Sequence, residues 1–394
     1  MSRIYFSAFG SGLGHIVRLK EIAKKLDPQD ALLYSTFDDA VQFLKQEGGH
    51  FVEAPSIDLK WNEYGGFSGK DTFLRFPFAI LSFLRQIGFE NRSLREFDPD
   101  VVISDSRLST IVAAAMNSLP VITILNQFKV LFPPRFRLSR ISRFYERMAG
   151  DVLGLLWTLS SQVLIPDLPP PFTICESNIS GTEMSHRARF IGFMTQRRVT
   201  EKQRLEKVTR ALQLDDRPVV FMQISGPAQT KSHFSRIAME AIPEMTNKYN
   251  VVLSLGIPNG STEPRKVSHG GWIYEWCPVK DELFDLSHLL VARSGHTTLG
   301  QCVDAGKPAV LVPIYNHSEQ IWNADKFSRL GLGLELRSEN LTRVSLVRSV
   351  SQCLEESTYL ENALKMKQVS NKYDGVEGAK QIIDSYLERS VQKH

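Results

Sequence analysis

The sequence predicts an α/β protein made of two doubly wound, Rossmann-like domains facing across a cleft. Three observations predict it. The chain opens on a strand, a glycine loop and a helix. Short apolar runs alternating with helical patterns then fill its first half. After a charged stretch near residue 200 a second series of the same kind begins. Short apolar strands between helices are the pattern of parallel sheets covered on both faces. The length of 394 residues suits two domains of about 100–200 residues each.

In chain order, RIYFSAF (Arg3–Phe9) reads as the first strand and GSGLGH as its turn. Ile16, Leu19, Ile22, Ala23 and Leu26 then recur at helical spacing. ALLYST and DVVISD are further strands, STIVAAAMNS a helix, and PVITILNQ a strand. FIGFMTQRR is expected to be the last strand before the charged stretch. PVVFMQIS, VVLSLG, WIYEW, HLLVA, PAVLVPI and LGLGLEL supply the second sheet. The expected division is residues 1–192, a linker helix over 193–217, a second domain over 218–364, and a C-terminal helix over 365–394 that packs back toward the first domain. Ligands of such sheets bind beyond the carboxyl ends of the strands, here in the cleft.

Composition excludes several classes. Hydrophobic content of 42% and charged content of 23% are those of a globular protein. Four scattered cysteines, with no CxxC pair, suggest neither zinc nor a disulfide framework, and fit a reducing, cytoplasmic compartment. The N-terminus lacks the layout of a signal peptide, and no apolar run reaches the ~20 residues needed to span a bilayer. The net charge of +4 does not by itself imply nucleic acid, and no nucleic-acid motif accompanies it. The charge is local: Lys129, Arg135, Arg137, Arg140, Arg143 and Arg147 face only Glu146.

Three groups of residues carry chemistry. The loop with Gly12 and Gly14 lets the backbone approach a ligand, and the helix after it offers unpaired N–H groups. It is not a dinucleotide fingerprint, because His15 stands where the third glycine of GxGxxG belongs. His15 suits a general base or a helix cap. Asp105, ending DVVISD, can orient His15 or cap the following helix. The third group is EWCP at Glu275–Pro278, followed by ARSGHTTLGQCVDAGKPAVLVPI and then NHSEQIWNADKFSRLGLG. Ser294, Gly295, His296, Thr297 and Thr298 follow a strand and open a helix, which makes a diphosphate cradle. Gln301 lies about two turns on and can reach a ribose. Trp276 can stack on a base, and Glu319 and Gln320 can hold sugar hydroxyls.

Together these residues resemble the nucleotide-sugar glycosyltransferases of the GT-B type. The related families are the UDP-glycosyltransferases and the lipid II-forming peptidoglycan N-acetylglucosaminyltransferases. The specific match covers Phe9–Leu26 and Trp276–Gly333. The resemblance implies an acceptor-binding N-terminal domain and a donor-binding C-terminal domain. It implies His15 as base, Asp105 as its partner, Ser294–Thr298 with Gly226 along the diphosphate, and Glu319 and Gln320 at the sugar. It also implies an inverting transfer to a hydroxyl acceptor with no cofactor and no metal. Asp98-Pro-Asp100 is accordingly a turn. Departures from the pattern are Gln301 in place of the usual Glu, and Val279 where the plant-type signature has Gln. Arg293 matches the lipid II enzymes. UDP is the expected nucleotide.

The aromatic stretch with Phe73, Phe76, Phe78, Phe83 and Phe89, with the basic block, suits an anionic membrane surface and a lipid-linked acceptor. It suits equally a buried helix with a solvated basic face. Two rival functions share the layout: a nucleotide-sugar epimerase, and a non-catalytic nucleotide-sugar-binding subunit.

Overall fold

Period-2 alternation in β1 (Arg3–Ala8) sends Ile4, Phe6 and Ala8 to one face of a sheet and Tyr5 to the other. β2 (Ala31–Thr36), β3 (Phe51–Glu53), β4 (Val101–Asp105), β5 (Val121–Ile124), β6 (Gln162–Ile165) and β7 (Ala188–Phe190) complete it. The order is β3-β2-β1-β4-β5-β6-β7, all parallel. The computed structural model describes residues 1–56, 69–129, 131, 140–180, 188–195 and 200–391, with residues 69–79 by backbone alone. Arg135 and Arg137 lie outside the described residues, as do the side chains of Phe73, Phe76 and Phe78.

Helices of this part are α1 (Gly14–Ala23), α2 (Asp39–Glu47), α3 (Gly69–Phe97), α4 (Leu108–Met116), α5 (Arg140–Trp157) and the single turn α6 (Glu176–Ile179). Ile16, Leu19 and Ile22 of α1 cover the Ile4–Phe6 face. Leu94 of α3, Ile111 and Ala114 of α4, and Trp157 of α5 cover the Tyr5 face.

The second sheet contains β8 (Val219–Gln223), β9 (Asn250–Ser254), β10 (Arg265–Ser268), β11 (Gly271–Tyr274), β12 (Leu289–Ala292), β13 (Ala309–Leu311) and β14 (Gly333–Glu335). Its order is β10-β11-β9-β8-β12-β13-β14, parallel except for the β10–β11 pair. Its helices are α7 (Lys202–Ala211), α8 (Ser232–Met245), α9 (Lys280–Leu286), α10 (His296–Ala305), α11 (Ser318–Arg329), α12 (Arg343–Glu355) and α13 (Ser357–Ser370). α14 (Gly375–Val391) returns to the first sheet, where Val376, Ala379, Ile383 and Leu387 enter the core beside α1.

The chain thus forms two units. One gathers the described residues up to Thr195 and again from Tyr373; the other holds those between, up to Lys372. The sequence reading differs from this in four places. The stretch after Phe190 leaves the sheet at once, although Ile191, Phe193 and Met194 stay buried. The expected linker contains α7, which packs on α9 within the second unit through buried Val208 and an Arg204–Glu282 ion pair. The segment from Lys365 is not one element: its start completes α13, which lies on α10, and the chain breaks before α14. β3 and β10, at the sheet edges, and β6 carry too short or too polar a pattern to be read as strands. No helix among the described residues is long and apolar enough to cross a membrane.

Candidate active site

In each sheet one strand has neighbours that continue in opposite directions of chain order. These switch points lie between β1 and β4 and between β8 and β12. There the loops diverge and leave a crevice beyond the strand ends. His15 and Asp105 fall at the first of these places, and Gly226 and the Ser294–Thr298 loop at the second.

At the first, Ala8 of β1 lies beside Asp105 of β4, and Phe9 donates its N–H to the Asp105 carbonyl at 3.1 Å. Gly12 has φ of 85°, a conformation side chains disfavour, and its N–H reaches Asp39 Oδ2 at 3.1 Å. Gly14 opens α1, so His15 sits on its first turn. The imidazole stands edge-on to Phe9, and its Nδ1 lies 2.7 Å from Asp105 Oδ1. Asp105 is fully buried, whereas His15 keeps a quarter of its side chain exposed.

Arg18, one turn along α1, completes the cluster. Its Nε donates to Asp105 Oδ2 at 2.9 Å and its Nη2 to Oδ1 at 2.8 Å. Burial alone would push the Asp105 carboxyl up. The charge of Arg18, then that of His15, outweighs it and holds the group below the usual range. An ionised carboxylate only accepts, so the 2.7 Å contact requires Nδ1–H. In its deprotonated form the ring then carries its lone pair on Nε2. Asp105 does not cap α4, whose N-cap is Arg107.

Arg18 escaped the sequence reading. The available signal was a charged residue placed i+3 from His15 beside the buried positions Ile16, Leu19 and Ile22.

At the second switch point α10 begins directly beyond β12 with Gly295 as N-cap. The first bond of the helix runs from Leu299 N to Gly295 O at 3.1 Å, and Gly295 has no side chain to cap the N–H groups before it. Gly295 has φ −66° and ψ 139°, open to any residue, and a Cβ there would meet nothing within 4 Å. Neither backbone nor packing requires this glycine. Thr297, Thr298 and Gln301 are half-buried on the same helix, and His296 is buried. Gly226, with φ of 107°, follows β8 across the switch point. Glu319 is half-buried in the first turn of α11, and Trp276 is 42% exposed after β11.

Three other candidates are engaged inside the loop. Buried Ser294 donates its hydroxyl to the Gln320 carbonyl at 2.8 Å. Gln320 Oε1 accepts from Ile314 N at 3.0 Å. Arg293 donates Nη1 to the carbonyls of Val312 and Pro313 and Nη2 to that of Thr230, with its guanidinium over Phe234. Burial lowers its pKa to about 10. Its hydrogen bonds tie together the loops after β8, β12 and β13. Half-buried His317 caps α11 by accepting from Gln320 N, a role that needs a neutral ring; burial holds its pKa down.

Residues 224–379 match the sequence profile of the glycosyltransferase family 28 C-terminal domain. An uncharacterized glycosyltransferase of Methanopyrus kandleri is 25% identical over 82% of this chain and 88% of its own. The UDP-N-acetylglucosamine–N-acetylmuramyl-(pentapeptide) pyrophosphoryl-undecaprenol N-acetylglucosamine transferase of an Exiguobacterium species is 25% identical over 92% of this chain and 94% of its own. The crystal structure of the Streptomyces sp. SF2575 glycosyltransferase SsfS6 with thymidine diphosphate superposes with a TM-score of 0.63. It is 15% identical and covers 98% of this chain and all of that one. The second half of the chain thus carries a family 28 glycosyltransferase C-terminal domain, on the two-sheet fold of the GT-B glycosyltransferases.

In this glycosyltransferase the matched segment opens at Ile224, at the end of β8, and spans the whole second switch point. Thiol chemistry has little place in it. Burial pushes Cys277, Cys302 and Cys353 up to about 12, so they stay protonated at neutral pH.

Proposed function

We propose that the chain is an inverting, metal-independent hexosyltransferase that moves a sugar from a nucleoside diphosphate, with UDP as the expected nucleotide, to a hydroxyl acceptor. The observation that carries this reading is the His15–Asp105 pair at the first switch point. His15 Nε2 takes the proton of the acceptor hydroxyl. The acceptor oxygen bonds to the anomeric carbon from the face opposite the leaving group. The carbon–oxygen bond to the diphosphate breaks, and its electron pair leaves with the nucleotide. First-turn N–H groups of α10 receive that charge. Trp276 is suited to the base, Gln301 to the ribose, and Glu319 with the Gln320 amide to the sugar hydroxyls.

The test is to incubate the protein with single UDP-sugars and lipid or alkyl hydroxyl acceptors. The anomeric configuration of the product is then read by NMR. Inverted product made only with acceptor present is expected. Conversion of the donor to an epimer without acceptor would replace the reading with its epimerase rival.

Gly295 offers a sharper check on the donor loop. Its Cβ would enter open space, so Gly295→Ala should leave the melting temperature unchanged and weaken nucleotide binding. Titration of the variant with UDP decides this. Unchanged affinity would remove the diphosphate from α10.

The acceptor is proposed to be lipid-linked, met at an anionic membrane surface on the cytoplasmic side. α5 supports this. Phe144, Met148, Val152 and Leu155, all at least 49% exposed, fall at i, i+4, i+8 and i+11 on one stripe. Arg140, Arg143 and Arg147 are exposed on the same helix. Ile80, Leu81 and Leu84 of α3 are exposed as well. Apolar and cationic side chains together suit an interfacial element. Changing the three arginines to Glu should abolish sedimentation with phosphatidylserine vesicles at low salt. Equal binding by the variant would refute the membrane reading.

A further inference from the structure

Arg18 is buried to 4% exposure, yet among the described residues the one side chain that accepts its hydrogen bonds is Asp105. Its Nη1 makes no hydrogen bond to a described residue. The fork grips both oxygens of Asp105, the geometry in which a guanidinium fixes the plane of a carboxylate. Nη2 also stands 3.0 Å from His15 Nδ1. Both groups are donors, because Nδ1 already gives its proton to Asp105. Arg18 therefore does not hold the ring directly. It holds the acid that holds the ring.

We infer that Arg18 is the positioning residue of the His15–Asp105 pair, keeping Asp105 ionised and in the plane that fixes the Nδ1–H tautomer of His15. The inference rests on the proposed base role of His15 only for its kinetic consequence; the tautomer can be measured without it.

The charges around the pair are few. From α1 come His15 and Arg18, and from the turn after β4 comes the Ser106 hydroxyl at 3.2 Å from Asp105 Oδ1. Asp39 holds the glycine loop through Gly12, and Asp38 beside it feels the charges of Asp39 and Glu53. Beyond β4, Arg107 is paired with Glu90. The β5 neighbour of Asp105 is the apolar Ile124. α14 faces this core with Val376, Ala379 and Ile383, and its Lys380 is paired with Asp384. Arg18 is thus the fixed cation in direct contact with the pair. Without it a buried carboxylate favours uptake of a proton, and a neutral Asp105 holds the ring with a weaker bond. The pair then takes up a proton at higher pH, as a coupled unit.

The experiment compares the wild type with Arg18→Met, Arg18→Lys and His15→Gln. Two readouts are used: nitrogen-15 spectra of the histidine rings, with His15→Gln assigning the resonance, and pH–rate profiles of transfer. The wild type should show His15 as the neutral Nδ1–H tautomer. Arg18→Met should mix the tautomers. It should also move the acid limb of kcat upward by about one pH unit, the low end of what one neighbouring charge is worth, with the donor KM unchanged. Arg18→Lys, which keeps the charge and loses the fork, should retain the limb and mix the tautomers in part. An unshifted limb with unmixed tautomers in a folded Arg18→Met protein would overturn the inference. So would a neutral Nε2–H ring in the wild type, which settles the matter even where the methionine variant does not fold. Full activity in His15→Gln would instead remove the base role and leave the positioning role to the spectra.

Discussion

With His15 replaced by alanine, sugar transfer is expected to fall by about 10²–10⁴-fold, the range of a positioned general base. Affinity for the nucleotide should stay within error. The two effects separate because His15 belongs to the first switch point and the proposed diphosphate loop to the second. A base acts on the acceptor proton and contributes nothing to holding the donor. Single-turnover rates with a saturating UDP-sugar, beside titration with UDP alone, check both halves. A large loss of UDP affinity in the variant would make His15 a donor contact. Unchanged turnover would remove it from the chemistry.

The second large effect is expected at Asp105. Asp105→Asn keeps the volume and removes the charge, leaving the Arg18 guanidinium buried without its counter-ion. Breaking a buried pair from one side costs about 3–5 kcal/mol. The amide must also turn its NH2 either toward Arg18 or toward His15 Nδ1, and both neighbours are donors in the native arrangement. Thermal unfolding should show a lower transition, and transfer should fall with it.

The pH dependence has a definite sign. The folded Asp105 carboxyl sits below its ordinary value, so its stabilisation is fully present above the unfolded value of about 4. It is lost as pH falls through the folded value. The gap in melting temperature between wild type and Asp105→Asn should therefore be widest at neutral pH and close below about pH 4. A gap that persists undiminished in acid would mean that the two proteins differ by packing and not by charge.

Much of this was legible in the chain, for definable reasons. Strands such as VVISD and VVFMQ, buried on both faces, read as unbroken apolar runs, and they are the strands that flank the two switch points. His15 and Asp105 were visible because each ends a strand–turn unit. Their pairing was expected as well; what brings it about, the adjacency of β1 and β4 across 90 residues, was not legible. The roles of Ser294, Arg293 and Gln320 inside the loop were also invisible. A serine whose hydroxyl serves a backbone carbonyl has the same letter as one facing a ligand. Arg293 was singled out by its match to the lipid II enzymes, and its carbonyl partners Val312, Pro313 and Thr230 lie on segments distant in sequence. Arg18 was passed over because it stands in a helix whose other inward residues are apolar.

One measurement bears most directly on the central claim that this chain uses a nucleoside diphosphate sugar. The purified protein is melted with UDP, TDP, GDP, several UDP-sugars and NAD, each in excess. A ligand at 100 times its Kd adds about 2.7 kcal/mol of stability, a shift well within reach of a thermal scan. The account predicts a raised melting temperature with UDP and with one UDP-sugar, and none with NAD. Stabilisation by NAD alone, or by no nucleoside diphosphate at all, would contradict it.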